Sequence, residues 1–113
     1  MRTITGKVVL PTNVPEVKAG QVTIEVRDVS EADAPSTVVA ERRLDNVALK
    51  SKGEIKFKIA VPEVESNRTL ALQVHVSLDG SGKVKSGDLL TTTHVAVPGA
   101  GKAHEIEVPV KVI

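Results

Sequence analysis

The feature that most constrains this chain is a two-residue rhythm of apolar side chains. Across residues 69–78, Leu70, Leu72, Val74, Val76 and Leu78 alternate with Ala71, Gln73, His75 and Ser77. Neighbouring side chains on a strand point to opposite faces, so a period of two marks a strand with one face on a core; a helix would repeat at about 3.6 residues. The rhythm recurs over residues 3–10, ended by Pro11, and over 21–29, 36–45, 54–61, 87–97, ended by Pro98, and 104–112. Turn-forming residues separate these seven stretches, and no amphipathic helical pattern lies between them. The chain is therefore expected to be all-β, a β-sandwich of about seven strands, with residues 1–113 forming one domain.

The core of such a sandwich has to be aliphatic. Phe57 is the single aromatic residue, and Tyr and Trp are absent. Base-stacking platforms, sugar-stacking faces and cation–π cages all need rings, so those functions are disfavoured. Fifteen basic residues stand against fourteen acidic ones. That balance leaves no surplus to attract nucleic acid, and no such partner is expected. The lack of any Cys removes disulfides, thiol nucleophiles, cysteine metal sites and a lipid-accepting thiol. The sequence opens directly into a strand pattern, and no apolar run reaches signal-peptide or transmembrane length. As written, the chain is expected to be soluble, with no membrane insertion.

Few side chains suggest chemistry. Gly82-Lys83 and Gly101-Lys102 look like fragments of a phosphate loop, but the earlier glycine that a Walker A motif requires is Ser77 in one case and Ala96 in the other. Neither lysine is followed by Ser or Thr, and no helix follows, so both read as turns. The histidines are His75, His94 and His104. If Val76 pairs near Thr91, His75 and His94 face outward as diagonal neighbours, but two ligands on an exposed face seldom hold a metal. Neither a G-x-S-x-G elbow nor a paired acid and base is present. Asn67-Arg68-Thr69 fits a glycosylation sequon but reads as a strand entry. No catalytic residue, cofactor or metal is expected.

Between the second and third stretches runs Asp28-Val29-Ser30-Glu31-Ala32-Asp33-Ala34-Pro35. Asp28, Ser30, Glu31 and Asp33 make it rich in oxygen, yet it lacks the spacing of a calcium loop. Asp and Ser bond the backbone just ahead of them, and Pro35 keeps Ala34 out of the helical region. Asp28, Val29, Ser30, Asp33, Ala34 and Pro35 are thus expected to form a structural turn. In the last stretch Pro109 cannot donate to a ladder, which points to an edge strand around residues 105–111. Ile106, Val108, Pro109 and Val110 are the candidate edge for an interaction, because an open edge can accept an added strand.

The segment V-x-I-x-V-R-D-V-S-E-A-D-A-P-S-T-V-V-A-E at residues 22–41 resembles the signature of the YbaY/YscW family of small bacterial envelope lipoproteins, which includes pilot lipoproteins of type III secretion. The resemblance continues through Leu10-Pro11, Ile55-x-Phe57-x-Ile59 with Val61-Pro62, Arg68-Thr69-Leu70, Asp79-Gly80 and the run Asp88-Leu89-Leu90-Thr91-Thr92-Thr93. It implies an immunoglobulin-like sandwich, no catalytic residues, and an accessory role in which an outer-membrane secretin is helped to its place. It also implies a bacterial envelope location if a leader has been removed. The expected function is accordingly a non-catalytic accessory or binding protein that engages another polypeptide through a sheet face or an edge strand. A homo-oligomer built by strand or face pairing is the alternative, and an enzyme with an unrecognised site the remote one.

Overall fold

The computed structural model describes residues 2–30, 36–62, 68–92, 95–97 and 105–113. Its strands are β1 (Arg2–Val9), β2 (Lys18–Asp28), β3 (Thr37–Ala48), β4 (Glu54–Val61), β5 (Leu70–Ser77), β6 (Leu89–Leu90), β7 (Ile106–Pro109) and β8 (Lys111–Val112). They form a three-stranded sheet in the order β4-β1-β7 and a five-stranded sheet in the order β3-β2-β5-β6-β8. The two sheets face each other as a β-sandwich, and no helix is found among the described residues.

The alternation in the sequence becomes the inside and outside of the sandwich. Val22, Ile24 and Val26 on β2 and Leu72, Val74 and Val76 on β5 point inward, as do Ile55, Phe57, Ile59 and Val61 on β4. With Ile4, Val8, Leu89, Ile106, Val108 and Val110 they make one aliphatic cluster around a single ring. Burial of this kind contributes about 25 cal/mol for each Å² of apolar surface removed from water. That ring sits in a specific place. Gly6 on β1 is the register partner of Phe57 on β4, and a Cβ at Gly6 would lie 2.6 Å from Phe57 Cζ and 2.8 Å from the Ile106 carbonyl oxygen. The missing side chain is what lets the ring lie across β1.

Two stretches differ from the sequence-based expectation. Residues 104–112 were expected as one strand, but the chain changes sheets at Val110. Its amide donates to the Val9 carbonyl across β1 at 3.2 Å, and its side chain is buried. One residue later, Lys111 and Val112 pair with Leu90 and Leu89 of β6. The segment thus closes one side of the sandwich, and the described residues form eight strands. Residues 87–97 were expected to be continuous, but among the described residues of this stretch only Leu89–Leu90 is a strand, followed by the isolated bridge Ala71↔Ala96. The four steps from Ala71 to His75 are matched by six from Leu90 to Ala96, so the facing chain carries two extra residues.

The pairing of Val76 near Thr91 is also corrected. Val76 pairs with Leu89, and Thr91 meets Val74 instead. The observed register seats fully buried Leu89 opposite fully buried Val76. Thr91 is held against Val74 twice, its amide donating to the Val74 carbonyl at 3.0 Å and its hydroxyl accepting the Val74 amide at 2.9 Å.

Candidate functional site

The outward face of the five-stranded sheet is not flat. Thr23, Glu25 and Arg27 on β2 and Gln73 and His75 on β5 are outward-facing but only half exposed. They floor a groove of about 470 Å³, bounded by Glu41 and Arg43 of β3 on one side and by Gly80, Ser81, Gly82, Val84 and Leu90 on the other. A second depression continues it toward Ser36, Ala71, Thr91 and Val95, sharing Arg27 and Gln73. The floor is polar and balanced in charge. Arg27 pairs with Glu25 at 3.2 Å and Arg43 with Glu41 at 2.6 Å. Arg27 also donates from Nη1 to Ser36 Oγ at 2.9 Å, while its Nε is buried with no partner among the described residues.

One wall of the groove is the 79–87 loop. It crosses β2 where two glycines touch: a Cβ at Gly20 would lie 2.5 Å from the Gly80 backbone. Gly80 and Gly82 both adopt φ of 76°, a left-handed conformation that glycine takes without strain. Asp79 organises the tip by accepting from the Ser81 amide, the Ser77 hydroxyl and Lys85 Nζ. The Lys85 ammonium and the Ser81 amide hold its carboxyl far below the usual carboxylate range.

The wall is tied to the floor by Asp88, whose residue exposure is 3%. Its Oδ1 accepts the Leu78 amide at 3.1 Å. Its Oδ2 accepts the Lys85 amide and His75 Nε2, each at 3.0 Å. Burial works against the charge on Asp88, but the His75 bond and the two amides outweigh it, and the carboxyl sits below its ordinary range. Sequence reading gave Asp88 no role; the available signal was an acid placed just ahead of the apolar pair Leu89-Leu90, on the strand facing His75.

The acidic turn is also a tie. Asp28 Oδ1 accepts the Ser30 amide at 3.0 Å, and Oδ2 accepts Arg68 Nε at 2.7 Å. Ser30 Oγ accepts the Thr69 amide at 2.6 Å, and the Val29 amide donates to the Thr69 carbonyl at 2.8 Å. The Ser30 contacts, and then Arg68, hold the Asp28 carboxyl below its ordinary range. The clasp fixes the end of β2 to the start of β5, joining Asp28-Val29-Ser30 to Arg68-Thr69. Asp33, Ala34 and Pro35 lie outside the described residues, as do His94, His104, Asn67 and the Gly101-Lys102 turn. His75 is therefore described with Asp88 and not with His94. Among the described residues no group of three or more His, Asp or Glu is placed to hold a metal ion.

The candidate edge takes a different form from the one the side chains suggested. Strand β7 is the end strand of its sheet, parallel to β1. Ile106, Val108 and Val110 point inward and are buried, so they belong to the core. Because the Val110 amide faces β1, alternation turns Glu107 and Pro109 outward, and the donor that Pro109 lacks is one β1 never needed. What the edge offers is backbone, chiefly the Glu107 amide. The exposed face of this sheet is a charged surface, on which Lys7 pairs with Glu54 at 2.9 Å and lies near Glu107 and Glu105.

Three comparisons bear on this architecture. No curated protein matches the chain. The solved structure of an alternative pilotin from the type II secretion system of Vibrio cholerae has the same fold, with a TM-score of 0.74 and 21% identity over 99% of this chain and 96% of that one. The model of the family described as type III secretion system lipoprotein chaperone (YscW) matches residues 1–108. With all but its last five residues inside that match, the chain belongs to the YscW family.

Proposed function

We propose that this protein is a non-catalytic chaperone-type accessory protein of the bacterial envelope that holds a segment of an outer-membrane secretin in the groove of its five-stranded sheet. The observation that carries this reading is the family match over residues 1–108. The likeness in fold to a type II secretion pilotin supports it. So does the shape of the outward sheet face, where polar side chains are half withdrawn from water between two walls and can pair with a partner at modest desolvation cost. No helix of the described residues is long and apolar enough to cross a membrane.

A second reading has the partner add a strand to β7, favoured by the outward Glu107 amide on an end strand. One experiment separates the two. Purified chain is incubated with a purified outer-membrane secretin subunit from the same bacterium, and recovery is compared for wild type, Thr23→Arg, which fills the groove floor, and Glu107→Pro, which removes the free edge donor. The groove reading expects recovery to fall about tenfold for Thr23→Arg with an unchanged far-UV spectrum, and to hold for Glu107→Pro. The opposite pattern replaces the groove by the edge. Wild-type chain that recovers no secretin, while light scattering shows it associating with itself, overturns both.

A further inference from the structure

Three donors converge on the Asp88 carboxylate: the Leu78 amide, the Lys85 amide and His75 Nε2. An ionised carboxylate can only accept, so the hydrogen of the His75 contact resides on Nε2. A neutral imidazole with hydrogen on Nε2 carries its lone pair on Nδ1. That nitrogen has no partner among the described residues and is not sealed off, since the one buried unpartnered side-chain atom among them is Arg27 Nε. His75 lines the groove, with Thr23 opposite it on β2 and Leu90 opposite it on β6. We infer that His75 Nδ1 is the hydrogen-bond acceptor by which the groove selects its occupant, and that the occupant is a polypeptide segment presenting an N–H or O–H donor at that position. This rests on the groove reading above and adds to it the chemistry of the partner.

The arrangement has a sign. When the imidazole gains a proton, both ring nitrogens donate, and an accepting site becomes a donating one. The contact with Asp88 is not broken by this change; it becomes an ion pair, so the groove keeps its wall while losing its preference. Asp88 touches the ring, and the other charged groups of the groove and of the elements beside His75 are Glu25 and Arg27 of β2, Glu41 and Arg43 of β3, Asp79 and Lys85 of the loop, and Lys111 of β8. All of them remain in a His75→Gln variant, which isolates the imidazole from its neighbours.

The test uses the full chain, isotopically labelled, and fluorescent peptides tiling the extramembrane sequence of the secretin. Nitrogen NMR of the free chain should show the neutral His75 ring protonated at Nε2; a neutral ring protonated at Nδ1 overturns the inference. Affinity for the bound peptide should fall about three- to tenfold on acidification, in step with protonation of the ring as followed by nitrogen NMR, the size of one hydrogen bond lost. In His75→Gln that slope should be flat. A merely structural role for His75 would weaken binding by one factor at every pH, and that result, or a slope retained in the variant, refutes the proposal. If the variant unfolds, the wild type still decides: saturating peptide must keep the ring neutral further into acid than in the free chain. Wild-type chain that binds none of the peptides at any pH defeats the groove reading, and this inference with it, whatever the ring shows.

Discussion

Replacing Gly6 with Ala adds one methyl group at the most crowded point of the core. The added carbon would lie 2.6 Å from Phe57 Cζ and 2.8 Å from the Ile106 carbonyl oxygen, and carbon–carbon contacts settle near 3.5–4.0 Å. The Phe57 ring can tilt away, but the Ile106 oxygen belongs to the β7 backbone and moves only with its strand. Overpacking of this kind costs about 1–3 kcal/mol, and the backbone contact places Gly6→Ala at the upper end. For a domain of this size a loss of about 3 kcal/mol lowers Tm by roughly 12–20 °C. The chain has no Trp or Tyr to report by fluorescence, so urea unfolding followed by far-UV circular dichroism is the assay. Phe57→Leu removes the Cζ contact at its own cost in packing. The double variant Gly6→Ala/Phe57→Leu should then lose at least about 1 kcal/mol less than the sum of the singles. A Gly6→Ala midpoint within experimental scatter of wild type, or strict additivity in the cycle, would refute the account of Gly6 as space reserved for a ring.

Other expectations follow from the ties between strands. Asp88→Ala should cost about 1–3 kcal/mol in urea unfolding, because it takes the shared acceptor from the part-buried Leu78 and Lys85 amides and from His75. Asp28 has its carboxyl held below the ordinary range; its stabilisation is present above the unfolded-state carboxylate value and disappears as pH falls through the lower folded one. Urea midpoints measured from about pH 6 downward should drop less steeply in Asp28→Asn than in wild type, and an identical acid limb would contradict the clasp. Val108→Lys should abolish soluble protein, since it sets an unpaired charge where exposure is 0%; cost is of order 4–5 kcal/mol. A folded, soluble Val108→Lys chain would show that the core boundary at β7 is misplaced.

The sandwich was legible because its signal is local. Val22, Ile24 and Val26, or Ile55, Phe57, Ile59 and Val61, announce an inward face wherever the chain runs in space, and β4 occupies the expected residues 54–61. The sheet change at Val110 was not legible, because Ile106, Val108, Val110 and Val112 keep one alternation while the chain passes between layers. Nothing in a period of two records which sheet a residue enters. Pro109 suggested an edge strand around residues 105–111, but a missing donor says nothing of side chains, and those of Ile106, Val108 and Val110 are core. The ties were missed for a related reason. Asp28 with Arg68 and His75 with Asp88 join residues 40 and 13 positions apart, and a single polar side chain on an alternating strand gives no sign of which donor will meet it. The groove was invisible for the same cause: its floor and its β3 side read as ordinary outward polar residues, and nothing local announces that the 79–87 loop folds over Gly20 to make the other wall.

The parallel pairing of β1 with β7 has a consequence for when this protein can exist as a folded object. Gly6 finds its partner in Ile106, one hundred positions later. In synthesis β1 therefore waits for β7, and such distant pairings make folding slow, in the range of milliseconds to seconds. Until residues 106–109 arrive, Val8 and Phe57 have an incomplete core above them, and the three-stranded sheet is a two-stranded ribbon of marginal persistence. The β1–β7 pairing is thus a latch, and a chain cut short before Ile106 would leave it open.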